Sequence, residues 1–227
     1  MTLNKKVLEL NKDIKNIGLV CLTWGNVSCI SEDGKTIIIK PSGIDLDKAR
    51  PEDMSIIDIN TGNKLGGKKS SVDTLIHLEL YRNFKDIKTV VHTHSKFATI
   101  LSQANMSINC TGTTHADYFD GTIPIVKELT EDQIKTDYEQ NLGISIIEYF
   151  NENNLDYRRI KAALLPYHGP IAWGMSYSKG VENAFVLEKI SEMFYYQLLL
   201  SDKFNFNSVL LRKHFDRKHG SKKYYGQ

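Results

Sequence analysis

Cysteine is scarce in this 227-residue chain: there are three, Cys21, Cys29 and Cys110, odd in number and widely scattered. No CxxC pair occurs, which argues against a disulfide framework and against a cysteine-rich zinc site. Charge imbalance is missing too. A formal net charge of +2 is too small to argue for a nucleic-acid or membrane partner, and neither is expected. No apolar run is long enough to span a bilayer and no signal-peptide pattern is present, so the expected location is cytoplasmic. Internal repeats, linkers and low-complexity segments are absent as well, as are a Walker loop and a dinucleotide fingerprint. What is there, 41% hydrophobic and 25% charged, fits one globular domain over residues 1–227. The one unevenness lies at the end. Residues 212–227 carry Arg212, Lys213, Arg217, Lys218, Lys222 and Lys223 against Asp216, so that tail is +5 and everything before it is −3.

Hydrophobic spacing gives the elements. Leu3, Val7, Leu10, Ile14 and Ile17 recur at intervals of four and three, the stripe of an amphipathic helix. "NVSCI" and "KTIIIK" flank an Asp-Gly hairpin signal, and "MSIIDI" runs into the turn "NTGN". Ser70 and Ser71 are placed to cap a helix through about Phe84. A strand from Lys88 to His94, a helix over "FATILSQA", a strand "GTIPIV" and a helix opened by Thr130 come next. "KAALL", the turn "PYHGP" and "IAWG" then lead to a long helix from Ser178 to about Leu200. The expected fold is α/β: a single domain with a central, mostly antiparallel β-sheet covered by helices.

Two histidines mark the first candidate site. In an extended strand, side chains two apart share a face, so His92 and His94 in "VHTHS" would leave the strand end side by side. That pair can grip one metal ion; two hydrogen-bonded residues at a strand terminus would satisfy the same pattern. His168, in the Pro/Gly-bounded turn of "LLPYHGPIAWG", would complete a three-histidine set of the kind that leaves an open coordination position. Asp73, near a helix start, would add a carboxylate or simply complement the helix dipole. His77, among apolar neighbours on the same helix, reads as a packed or supporting histidine. His115 and Asp117 in "TGTTHADYF" follow a Gly/Thr loop and suit either solvation or acid–base work. "TWGNVS" and "KPSGID", together with Ser70 and Ser71, offer backbone N–H, hydroxyl and ammonium donors for an anion.

Taken together, "LTWGNVS", "IKPSG", "VHTHS", "TGTTHADYF", "HGPIAWG" and "RKHGSKKYYGQ" resemble the class II aldolase/epimerase family from about residue 5 to residue 227. HTH and PSG are shared with the aldolases of that family. "TTHADYF" and "YYGQ" are similar to its pentulose-phosphate 4-epimerases. The resemblance implies that His92, His94 and His168, with Asp73 as a further ligand, bind a divalent ion. Zinc is the expected ion, and manganese or cobalt suit the same donors. It implies phosphate binding by Asn26, Ser42, Gly43 and Ser71 with help from Lys40, and an acid/base pair of Asp117 and Tyr225. Thr113, Glu139 and His214 would lie nearby. Tyr225 would arrive from a neighbouring subunit of a homotetramer, which would order the 212–227 tail at the interface. One departure stands out: Val72 replaces a serine immediately before the acidic residue. The loss removes a hydroxyl worth about 1.5–3 kcal/mol to an anion unless Ser70 shifts into its place.

The implied reaction interconverts L-ribulose 5-phosphate and D-xylulose 5-phosphate. C4 carries no acidic hydrogen, so the workable route breaks C3–C4, rotates the aldehyde and rejoins it. Two proton carriers are then needed on opposite faces, and a Lewis acid stabilises the charge that develops. Two other readings fit parts of the pattern. One is an aldolase of the same scaffold acting on a ketose 1-phosphate, of the L-fuculose-1-phosphate type. The other is a non-catalytic zinc or RNA-binding protein using the basic tail, which lacks interleaved aromatic platforms.

Overall fold

The computed structural model describes residues 1–227 except Asp202, Asn205, Lys222, Gly226 and Gln227. The last two residues of the "YYGQ" ending therefore lie outside the described residues. Seven strands form one sheet: β1 (Asn26–Ile30), β2 (Thr36–Ile39), β3 (Ser55–Asp58), β4 (Lys64–Gly66), β5 (Thr89–His92), β6 (Ala162–Leu165) and β7 (Gly169–Gly174). Their order is β4-β3-β2-β1-β5-β7-β6, and every ladder between them is antiparallel. The expected antiparallel α/β architecture is what the chain adopts.

Helices cover both faces. Residues α1 (Leu3–Asn16), α3 (Lys96–Gln103) and α7 (Lys179–Leu200) supply Leu10, Leu101 and Leu187 to one core layer, where they meet Val27, Val91 and Ala172 of the sheet. On the other face α2 (Thr74–Asn83) and α6 (Tyr138–Glu152) bring Ile76, Ile146 and Phe150 against Ile37, Val90, Ile171 and Trp173. Val90 and Val91 thus point to opposite layers, as do Ile171 and Ala172, which is the period-two alternation of a strand buried on both sides. Among the described residues there are also α4 (Thr113–Ala116), α5 (Glu131–Lys135), α8 (Ser208–His219) and a 3-10 turn at Pro51–Asp53. No helix among the described residues is long and apolar enough to cross a membrane.

Several boundaries differ from the sequence reading. Ser70 and Ser71 do not cap α2, which begins at Thr74 with Asp73 in the cap position. Ser70 bridges to Pro41, and the Ser71 hydroxyl is spent on Asn26 and Asp73. Strand β5 ends at His92, not His94, because the chain turns there to start α3. The first N–H groups of α3 are satisfied from a distance: the Glu188 carboxylate accepts from Phe97 at 2.9 Å and Ala98 at 3.0 Å. "GTIPIV" forms isolated bridges, Ile108 with Ile123 and Ile125 with Leu164, instead of a strand. Pro124 inside that run removes a ladder donor. Elements β4, α6 and α8 had no counterpart in the sequence reading.

Two glycines let the backbone close around the end of β5. Gly25 has φ +75°, and a Cβ there would sit 2.8 Å from the His92 carbonyl oxygen and 2.9 Å from Val20. At Gly169 a Cβ would come within 2.8 Å of the Thr93 carbonyl. Strand β5 is therefore clasped between two bare backbones at the point where His92 emerges. Gly25→Ala adds a left-handed residue and a clash with backbone, and should cost about 2 kcal/mol or more of stability. Denaturant titration reads this directly; an unchanged midpoint would show that the junction tolerates a side chain.

Candidate metal centre

Sheet register builds the centre. Asn26 lies opposite His92 across β1/β5, and Ile171 lies opposite His92 across β5/β7. The start of β1, the end of β5 and the start of β7 therefore meet at one end of the sheet, and His168 is the residue just before β7. The three imidazoles form a near-equilateral triangle. Ring centroids are 5.0 Å apart for His92–His94, 4.8 Å for His92–His168 and 5.0 Å for His94–His168. One ligand atom from each lies within 4.8 Å of the others, so the set can hold a metal ion.

Their chemistry fits that role. His92 Nδ1 donates to the Pro170 carbonyl at 3.0 Å, which leaves Nε2 as a bare lone pair in the neutral ring. That Nε2 lies 3.2 Å from His94 Nε2. Burial, then the neighbouring imidazoles, push His168 down to about 4, and the same causes push His94 below the usual histidine range. Both rings are neutral donors near pH 7, the form a metal takes. His92 is buried, His168 half-buried and His94 exposed, so the triangle opens to solvent on one side. The two HTH rings do not meet by strand alternation as expected. His94 lies past β5 and its ring turns 73° to that of His92.

Asp73 shares the centre's cleft without joining the triangle. Its Oδ2 accepts from Asn26 Nδ2 at 2.6 Å and from Ser71 Oγ at 3.2 Å. Burial opposes its ionisation, but the imidazoles of His92 and His77 and the Asn26 bond outweigh it and hold the carboxyl below the usual range. All five anion candidates, Asn26, Lys40, Ser42, Gly43 and Ser71, line this same cleft of about 390 Å³, with Asp73, Glu139, His94 and His168. Lys40 Nζ donates to the Thr23 carbonyl at 3.1 Å, and burial lowers its pKa. The Asn26 Oδ1 atom is buried with no protein partner, so it offers an acceptor to a ligand hydroxyl. Val72 stands exposed on the cleft wall where the resemblance calls for a hydroxyl. Beyond the triangle, His94, Tyr138 and His168 also border a second chamber of about 520 Å³.

The remaining candidates gather elsewhere in the chain. Asp117 accepts from His214 Nδ1 at 3.1 Å and from Arg217 at 3.0–3.3 Å. Tyr225 stacks on the same guanidinium, 4.3 Å from ring centroid to carbon. Neither Asp117, Thr113, His214 nor Tyr225 lines the cleft of its own chain. Within "TTHADYF", Thr113–Ala116 form a one-turn helix and Asp117 follows in a turn, while His115 is buried and hydrogen-bonded within the chain. Its Nε2 donates to the Gly121 carbonyl at 2.8 Å, and burial pushes it down to about 4. Sequence reasoning missed Tyr138, whose hydroxyl lies 3.3 Å from His168 Nδ1 with the rings parallel within 8°. It also missed Trp24, 6.1 Å from His94, and Arg217. Tyr138 opens α6, whose apolar stripe Leu142, Ile146 and Phe150 is the signal available in the sequence for that helix.

Comparison with known proteins agrees with this geometry. The family model for the class II aldolase and adducin N-terminal domain matches residues 5–195. An L-fuculose 1-phosphate aldolase has the same fold with TM-score 0.80 at 19% identity, covering 95% of each chain. YgbL from Escherichia coli, a candidate aldolase/epimerase/decarboxylase, gives TM-score 0.73 at 25% identity over 94% of this chain and 97% of its own. The L-fuculose-1-phosphate aldolase from Thermus thermophilus gives 0.67 at 20% identity over 87% and 96%. With the matched segment spanning every strand and the three-histidine centre, the chain belongs to the class II aldolase and adducin domain family.

Proposed function

We propose that this protein is an L-ribulose-5-phosphate 4-epimerase. The observation that carries the reading is one cleft in which three imidazoles and an aspartate adjoin a set of anion donors. His92, His94 and His168, with Asp73 beside them, would hold a zinc ion, whose chemistry when bound is Lewis-acid polarisation of oxygen. The chain's own groups do the rest. Lys40, Ser42 and the Gly43 amide bind the phosphate, joined by Ser71 once its hydroxyl turns from Asp73, and keep it fixed while the aldehyde half rotates. Asn26 Nδ2, already bonded to Asp73, orients that carboxylate. Asp117 and Tyr225 carry the C4 hydroxyl proton on opposite faces, which the two epimers require.

The separation of Asp117 and Tyr225 from their own cleft supports a homotetramer with active sites between subunits, each pair serving a neighbour's metal centre. Aspartate at 73, where the resemblance expects glutamate in an aldolase, favours epimerisation over release of fragments. The second reading, a sugar-phosphate aldolase, draws on the shared fold with L-fuculose 1-phosphate aldolase.

Incubation with L-ribulose 5-phosphate should yield D-xylulose 5-phosphate without stoichiometric dihydroxyacetone. Stoichiometric release of fragments, or cleavage confined to a ketose 1-phosphate, would replace the epimerase reading with the aldolase one.

His94→Ala should lose bound metal and turnover together, by about 100-fold or more in turnover. Full metal content with full activity would sink the ligand assignment. Tyr225→Phe should bind metal and assemble normally yet lose most activity. Mixing it with His94→Ala should restore part of it, because a mixed tetramer can pair an intact tyrosine with an intact metal centre; no rescue in verified mixed tetramers would place Tyr225 in its own chain's site. Val72→Ser should lower KM for the phosphorylated ketose, by up to about tenfold if one charge-assisted bond returns. An unchanged KM would mean that the anion does not reach this wall.

A further inference from the structure

We propose that Arg217 is the positioning residue that locks Asp117 and Tyr225 into a single proton-handling unit; this rests on the epimerase reading above. Three separate contacts meet at Arg217. Its Nε and Nη2 donate to Asp117 Oδ1 at 3.3 and 3.1 Å, and Nη2 also reaches Oδ2 at 3.0 Å. Its guanidinium lies over the Tyr225 ring at 4.3 Å. Its backbone carbonyl accepts from the N–H groups of Tyr224 at 2.9 Å and Tyr225 at 3.1 Å. One residue therefore holds the carboxylate through its side chain and the tyrosine through both side chain and backbone.

The contacts also distinguish the two carboxylate oxygens. His214 Nδ1 donates to Oδ1 at 3.1 Å, so Oδ1 carries three donors and Oδ2 carries one. Oδ2 keeps free lone-pair capacity, and it is the oxygen that exchanges the proton. His214 and Arg217 are three apart on α8, which places both on the face turned to Asp117. The pair is shielded: side-chain exposure is 17% for Asp117 and 22% for Arg217, so this is not a solvent-screened surface bridge. A planar fork that binds a carboxylate and stacks on a ring is a property of arginine that lysine lacks.

Helix α8 does not depend on Arg217 for its seat. Phe215 is buried beneath Arg159, whose guanidinium carbon lies 4.5 Å from the ring, and Asp120 accepts from Arg159 at 2.7 Å and Arg212 at 3.4 Å. An Arg217 variant should therefore fold and keep α8 docked.

Arg217→Met and Arg217→Lys, assayed as intact metal-loaded protein on L-ribulose 5-phosphate, test the proposal. Both should keep metal content and oligomeric state, hold KM within about twofold and lower kcat by about 100-fold, the scale of a misplaced acid–base group. Adding Arg217→Met to the Asp117→Asn/Tyr225→Phe double variant should cost less than about threefold more, because the unit it organises is already gone. Full additivity, or a rise in KM with kcat intact, would overturn the proposal. Hydrogen exchange separates its failure from that of the epimerase reading. In Arg217→Met the amides of Tyr224 and Tyr225 should exchange about tenfold faster while those of Leu211 to Phe215 stay protected. If the wild type epimerises nothing, the function falls and exchange still decides whether Arg217 holds the tail; unchanged exchange at both tyrosines would refute that.

Discussion

The hydrogen bond from His92 Nδ1 to the Pro170 carbonyl ties the site to the sheet. It joins the end of β5 to the start of β7 and fixes which nitrogen of His92 faces the cleft. Proline at 170 still offers its carbonyl while contributing no N–H of its own, so the acceptor is held on a restricted backbone beside the last ladder pairs. The clasp of Gly25 and Gly169 on either side keeps β5 at that depth. A shift of β5 by one residue would turn His92 to the other core layer and bring Val91 to the cleft. The metal triangle is thus a consequence of strand register before it is a property of three histidines.

Around that fixed point the site divides labour by burial. His92 is shut away from water, and its position is set by backbone. His94, exposed, and His168, whose Nδ1 lies beside the Tyr138 hydroxyl, complete the triangle from outside the strands. The anion donors sit across the cleft on separate segments, at the start of β1, after β2 and before α2. Asn26 links the halves, since it pairs with His92 in the ladder and bonds Asp73 through its amide. A cleft assembled from strand ends, with loops bearing the charged groups, lets the sheet carry the precision and the loops carry the specificity.

Much of this is legible in the sequence. The strands with strong alternation or β-branched runs, the capped helix at Thr130 and the long helix to Leu200 carry local signals, and so do the HTH pair and the Pro/Gly turn at His168. What escaped notice depends on distant partners. Glu188 caps α3 from another helix, and no local motif announces it. Ser70 and Ser71 have the composition of a cap, yet a bridge to Pro41 and the cleft network claim them first. Helix α8 is polar on average, and its burial rests on Phe215 alone, so its periodicity says little. The separation of Asp117 from the histidines is a matter of topology, which a list of motifs in sequence order does not contain.

Part of the positive tail is met by acidic and aromatic groups of this same chain. Its charge of +5 sits on a chain otherwise at −3, a distribution that invites a search for an external polyanion. Three of its cations contact this chain, while Lys213 and Lys223 stand exposed. Arg212 bonds Asp120, Arg217 bonds Asp117, and Lys218 Nζ lies 3.6 Å from the centre of the Tyr118 ring. Three successive residues after α4, Asp117, Tyr118 and the buried Phe119, therefore meet α8 through a carboxylate, an aromatic face and the core. Attraction of this kind is strongest where water is partly excluded, and Phe215 supplies that exclusion at the middle of the helix. The surface that meets α8 is acidic and aromatic, and the docked helix carries Arg217 beside both Asp117 and Tyr225.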